Sequence, residues 1–91
     1  MYLSIQDCID MSDLTEDEIL AIAEHENLPE ILAIELGSYL VHAPGGEKRI
    51  KRMIEDDIKD SQQKGDVKHT AMLKSVLKHY LEHHHDAAKG K

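Results

Sequence analysis

Apolar residues recur every three or four positions along most of the chain, a spacing that predicts amphipathic helices. Ser4 followed by Asp7 forms a variant capping box, which predicts a short first helix ending near Met11. Thr15 and Glu18 form a second capping box, and the helix that they open is expected to end at about residue 26. The predicted apolar side of this second helix consists of Ile19, Leu20, Ile22 and Ala23.

The third helix is expected to begin at Pro29 and to run to His42, because proline is tolerated at the first helical position. It is the most apolar element and is therefore expected to be central. Gly37 within it predicts either a close neighbouring helix or a kink. The breaker at 43–46 separates it from a fourth helix over 47–64, whose apolar stripe is Ile50, Met53, Ile54, Ile58 and Ser61.

Gly65 is expected to follow the end of the fourth helix, where glycine is favoured. Asp66 is expected to cap the start of the fifth helix. Its predicted stripe consists of Val67, Met72, Leu73, Val76, Leu77, Tyr80 and Leu81. Residues 1–85 are therefore predicted to form one all-α domain, a compact bundle of four to five short helices. Residues 86–91 are predicted to be a flexible C-terminal tail.

The composition fits this fold class. The 91 residues include no Trp, no Phe and only three Tyr, so the core must be built from aliphatic side chains, which suits helix packing. The lone cysteine, Cys8, cannot form an internal disulfide, and Asp7 beside it disfavours the reactive thiolate, so a half-buried position is expected. Neither a signal sequence nor a long apolar run is evident, so we expect cytoplasmic residence and no membrane partner.

The charge is divided unevenly along the chain. Residues 1–47 contain 11 acidic residues and no Lys or Arg, whereas residues 48–91 contain seven acidic and all 11 basic residues. The two parts thus have formal charges of −11 and +4 within a total of −7. This balance argues against a nucleic-acid partner, because binding phosphate requires clustered positive charge. It predicts that the two parts attract each other, within one fold or between subunits.

Four segments of the chain are similar to a family of short, uncharacterised, all-helical proteobacterial proteins. They read LSIQDCIDMSDLTEDEI, AIAEHENLPE, ELGSYLVH and IKRMIEDDI, and the resemblance extends from Leu3 to about His79. It implies a bacterial, cytoplasmic protein with one compact helical domain. No function is attached to that family, so the resemblance implies no activity and no site residues.

Histidines are concentrated near the C-terminus. His79 and His83 stand four residues apart on the fifth helix, so their rings can share a metal, with Glu82 as an oxygen ligand. This spacing predicts a zinc or nickel site that needs a further ligand from elsewhere. The competing interpretation is that the histidines at this helix end are solvated, because the helix dipole favours cations there.

Two other charged segments are candidate sites. The run Glu24-His25-Glu26 could be a general base, but neighbouring residues on a helix diverge, so a partner such as Glu30, Glu35 or His42 would be required. After the glycines at 45 and 46, a helix start carries Lys48, Arg49 and Arg52, a patch that could bind an anion or an acidic partner. The competing interpretation of this patch is an ordinary surface with Lys51 and Arg52 paired to acids four residues later.

No nucleophile and base are spaced as an enzyme requires, and a helix-turn-helix is disfavoured because Glu30 and Glu35 lie on the helix that would enter DNA. We therefore expect a non-enzymatic interaction or regulatory module that associates with itself or with another protein. A metal-binding protein using the C-terminal histidines is the alternative.

Overall fold

A computed structural model describes residues 3–84 of the chain. Within that range it consists of helices without strands, namely α1 (Ile5–Met11), α2 (Glu16–Glu26), α3 (Glu30–His42), α4 (Gly46–Gln63) and α5 (Val67–His83). The prediction of an all-α bundle of four to five short helices is confirmed. The limits of the domain at residues 1 and 85 and the tail at 86–91 fall outside the described residues and stay predictions.

Both capping boxes are present at the first two helix starts. The amide of Asp7 donates to the Ser4 hydroxyl at 3.0 Å, and the amide of Ser4 donates to the Asp7 carboxylate at 3.1 Å. The amide of Glu18 donates to the Thr15 hydroxyl at 3.2 Å, and the amide of Thr15 donates to the Glu18 carboxylate at 2.9 Å. Each box satisfies amides that have no partner inside the helix, which fixes where these helices begin.

The breaks between the later helices follow local backbone requirements. Pro29 is extended and caps α3, which begins one residue later than predicted. Gly45 takes the left-handed conformation before α4, and a Cβ on Gly46 would overlap the carbonyl group of Leu40. Gly65 is also left-handed, and Asp66 caps α5 by accepting from the amide of His69, as predicted.

The core lies where α2 and α4 meet, with α3 and α5 packed against both of them. Its buried apolar side chains are Ile9, Leu14, Ile19, Ala21, Ile22, Ala33, Ile34, Leu40, Ile50, Met53, Ile54, Ile58, Leu73, Val76 and Tyr80. The predicted stripe of α4, including Ser61, is buried throughout. The helix with the clearest alternation of apolar and charged residues thus forms one side of the core.

The prediction that α3 is central is wrong. It buries Ala33, Ile34, Gly37 and Leu40, but Ile31, Leu32 and Tyr39 are exposed. Helices α2 and α4 cover one side of α3, while the seven-residue α1 is too short to cover the other. A helix that is apolar on most sides is therefore only half covered within the described chain.

Gly37 has the close neighbours that the sequence predicts. A Cβ at this position would lie 2.7 Å from Leu14 Cδ1 and 3.0 Å from Ile22 Cδ1. Helix α3 runs unbroken through the glycine, so the missing side chain serves close packing.

Parts of two other predicted stripes are wrong. On α2, Leu20 is exposed and Ala21 is buried instead. On α5, Val67 and Met72 are exposed, whereas Leu73, Val76 and Tyr80 are buried. Both exposed α5 residues lie in its N-terminal half. None of the helices described is long and apolar enough to cross a membrane.

Candidate functional site

An open groove lies between α1 and α3. The residues that line it are Cys8, Met11, Ile34, Glu35, Ser38, Tyr39 and His42. Ile34 is buried and forms the floor, whereas Met11 and Tyr39 are 60% and 69% exposed. Cys8 is a free, half-buried thiol, as expected. The groove thus combines an apolar floor with two large side chains that have much of their surface in water.

Apolar exposure continues beyond the groove on the same two helices. Ile5 stands three residues before Cys8 on α1, and Ile31 stands four residues before Glu35 on α3, so each extends its helix side by one turn. Ile5, Ile31 and Leu32 are all exposed. We call Ile5, Met11, Ile31, Leu32 and Tyr39 the α1–α3 face.

One end of the groove is closed by polar contacts. His42 Nδ1 donates to the carbonyl oxygen of Ser38 at 2.9 Å, and its Nε2 lies 3.5 Å from the Asp13 carboxylate. Both side chains are largely exposed, so this contact contributes little to stability. It orients the His42 ring at the groove end nearest the turn between α1 and α2.

A row of histidine–carboxylate pairs joins α2 to α4 and α5. His25 contacts Glu26 Oε2 through Nδ1 at 2.7 Å and Asp56 Oδ2 through Nε2 at 2.9 Å. His69 Nε2 lies 2.7 Å from Glu24 Oε1. We call these pairs the histidine seam. The sequence anticipated Glu30, Glu35 or His42 as a partner for His25, and the structure supplies Asp56 instead.

The seam favours the protonated form of His25. Burial alone would lower its pKa, but the hydrogen bonds to Asp56 and Glu26, together with the charge of Asp57, raise the pKa of His25 above its ordinary value. Carboxylates engage both ring nitrogens, so the ring joins α2 to α4. The use of His25 as a general base stays a prediction.

Asp57 lies beside the seam and was missed by sequence reasoning. It is 4% exposed, and within the described residues its Oδ2 has no hydrogen-bond partner. Burial, followed by the charge of Glu24, raises the pKa of Asp57 to about 7, although His25 opposes this shift. A carboxyl with such a pKa titrates near neutral pH, which makes this part of the α2–α4 interface sensitive to pH.

The predicted metal ligands His79 and His83 do share one side of α5. Their rings are stacked with centroids 4.1 Å apart, and His83 Nδ1 donates to the carbonyl oxygen of His79 at 2.9 Å. His79 Nδ1 lies 3.3 Å from Oε2 of the buried Glu18. Across residues 3–84, no group of three His, Cys, Asp or Glu residues is arranged to hold a metal. A zinc or nickel site that includes Glu82 stays a prediction.

His79 and His83 are exposed, as the expectation of solvated histidines requires, but His84 does not follow it. It is buried, stacks on Tyr80 at 4.3 Å, and places Nδ1 3.1 Å from the Tyr80 carbonyl oxygen. Its Nε2 lies 3.2 Å from the carbonyl oxygen of Asp13. Tyr80 in turn donates its hydroxyl to the carbonyl oxygen of Glu47 at 2.8 Å. These contacts anchor the C-terminal end of α5 to the α1–α2 turn and to the start of α4.

The predicted anion patch lies on the first turns of α4, where Lys48, Arg49 and Arg52 are exposed. Arg52 also lines a shallow groove between α4 and α5, together with Lys59 and Lys74. Acids line this groove too, and one of them, Asp56, is bound to His25. An anion or acidic partner at the patch stays a prediction.

No protein-family model, curated protein or solved structure matches the chain. The resemblance to a proteobacterial family therefore stays a prediction.

Proposed function

We propose that this chain is a non-enzymatic interaction module, a small helical bundle that binds another protein or a second copy of itself through the α1–α3 face. The observation that carries the proposal is the exposure of five large apolar side chains on two adjacent helices, Ile5, Met11, Ile31, Leu32 and Tyr39. Scattered apolar residues on a surface need no explanation, but these five lie on two helices that pack against each other, and Met11 and Tyr39 line one groove between them.

The chemistry of the face supports this proposal. Tyr39 is 69% exposed and combines a large apolar ring with a polar hydroxyl, a combination enriched at protein interfaces. Covering a half-exposed Ile, Leu or Met side chain contributes on the order of 1 kcal/mol. Several such side chains can support a specific, moderately tight complex once the loss of translational freedom has been offset.

Light scattering and affinity capture test the proposal together. The wild-type chain, Tyr39→Ser and Val67→Ser are compared by light scattering over a wide concentration range and then used as baits in extract from the native host. Val67 is the matched control, because it is exposed and apolar but lies on α5, away from the face. We expect self-association or a captured protein with wild type and Val67→Ser, and its loss with Tyr39→Ser.

Circular dichroism of the three proteins serves as the folding control, because neither substituted side chain lies in the core. A strict monomer at high concentration, together with captured proteins that do not differ between the variants, would overturn the proposal.

A further inference from the structure

We infer that the α1–α3 face binds a short amphipathic helix of a partner protein that carries Lys or Arg beside its apolar stripe. This inference rests on the proposed function and specifies the partner. It follows from the form of the groove, from the state of the backbone around it, and from the charges on the two helices that form it.

The form of the groove suits a helix. Helix α1 has seven residues, which at about 1.5 Å per residue gives a wall of about 10 Å. Cys8 and Met11 line this wall, and Ile5 precedes Cys8 by three residues on the same helix. A ligand helix of two or three turns spans that length and presents apolar side chains at i, i+3 or i+4, and i+7.

The backbone around the groove disfavours an extended ligand. Both walls are helices, whose interior amides and carbonyls are already bonded to one another, so the groove offers no sheet edge. An extended peptide lying there would lose water from backbone groups without gaining partners for them. A helical ligand satisfies its own backbone and has only side chains to bury.

The charge on the two walls determines which charge the partner helix must carry. Glu35 lines the groove, and α1 also carries Asp7 and Asp10. Residues 1–47 contain no Lys or Arg that could offset them. A second copy that docked through the same face would bring like charges together, which opposes a symmetric dimer. A helix with Lys or Arg beside its apolar stripe would instead pair with these carboxylates.

Three synthetic peptides of about 18 residues, long enough to populate a helix, test the inference. The first has leucines at i, i+4, i+7 and i+11 flanked by lysines. The second replaces the lysines with glutamates, and the third keeps the composition of the first but scrambles its order. Fluorescence anisotropy gives the affinity, and NMR shift changes of the full chain locate the contact. We expect the first peptide to bind at least 10-fold more tightly than either control, with shifts on α1 and α3.

Variants of the chain separate the apolar and charged contributions. Tyr39→Ser and Glu35→Lys are each expected to weaken binding of the first peptide about 10-fold. Val67→Ser and Glu55→Lys are matched controls on α5 and α4, and both should bind as wild type. Equal binding of the scrambled peptide, or shifts centred on α4 and α5, would overturn the inference.

The outcomes also distinguish this inference from the proposed function. Self-association that depends on Tyr39, without peptide binding, would support the proposed interaction module but overturn the inference that its partner is a basic helix. A chain that neither self-associates, nor binds the peptides, nor captures a Tyr39-dependent partner would overturn both.

Discussion

The α4–α5 hairpin and the segment from α1 to α3 differ in how they place their apolar residues. Helix α4 buries all of its Ile and Met residues, Ile50, Met53, Ile54 and Ile58, and turns its Lys and Arg side chains outward. Helix α3 has more apolar residues over a shorter length, yet Ile31, Leu32 and Tyr39 are exposed. Folding of the described chain therefore accounts for the apolar pattern of α4 but not for that of α3. The exposed residues of α3 are those proposed to contact a partner.

The strongest test of this difference compares one isoleucine from each region. Ile54→Ala on α4 removes a side chain that is 0% exposed and should lower the free energy of unfolding by about 2–5 kcal/mol. Ile31→Ala on α3 removes a side chain that is 45% exposed and should lower it by less than about 1 kcal/mol. Urea unfolding followed by circular dichroism measures both. Equal losses would contradict the division between a folding face and a binding face.

A second test concerns pH and the α2–α4 interface. The pKa of Asp57 is raised to about 7, so the folded state holds a proton that the unfolded chain releases at lower pH, and stability falls as the pH rises towards 7. The pKa of His25 is also raised, so its stabilising contribution is present at low pH and is lost as the pH rises through that value. The two pKa shifts act in the same direction. We therefore expect the free energy of unfolding to be higher at about pH 5.5 than at about pH 8, by about 1–2 kcal/mol after allowance for solvent screening.

Asp57→Asn checks the source of this dependence, because an amide cannot ionise. In this variant the difference in unfolding free energy between the two pH values should shrink to the part that His25 contributes. Asp10→Asn is the matched control, since Asp10 is exposed and accepts a hydrogen bond from the Gln6 side chain of its own helix. An unchanged pH dependence in Asp57→Asn would show that Asp57 does not cause the pH dependence of stability.

The smallest expected effect concerns salt. The described pairs that link the acidic first part to the second involve His25, His69 and His79, all partly exposed. Raising sodium chloride from about 0.05 to about 1 M should lower the free energy of unfolding by less than about 1 kcal/mol, because salt screens exposed charges. If stability does not depend on salt, the uneven distribution of charge along the chain does not contribute to folding.

The parts of the fold that were predicted correctly depend on neighbouring residues. Ser4 with Asp7 and Thr15 with Glu18 fix two helix starts through bonds within a single turn. The stripe of α4 was also predicted correctly, because its charged residues leave only one side that can be buried. The position of helix α3 was predicted wrongly. This helix is apolar on most sides, so the side that is buried depends on which other helices pack against it.

The candidate sites were harder to predict because they join distant segments. His25 meets Asp56 across 31 residues, and His69 meets Glu24 across 45. One signal was present in the sequence: Asp57 stands between Ile54 and Ile58 on the stripe of α4, which indicates a buried carboxyl. Its unusual pKa could not be inferred from that stripe, because it also depends on Glu24 and His25 of another helix.

Asp13 connects two places far apart in the sequence. Its carboxylate pairs with His42 at the groove, while its carbonyl oxygen lies 3.2 Å from Nε2 of His84, 71 residues later. The α1–α2 turn and the last described residue are therefore in direct contact. If this contact links their stability, opening of the turn also frees the end of α5, and amide exchange at the two places is expected to be cooperative rather than independent.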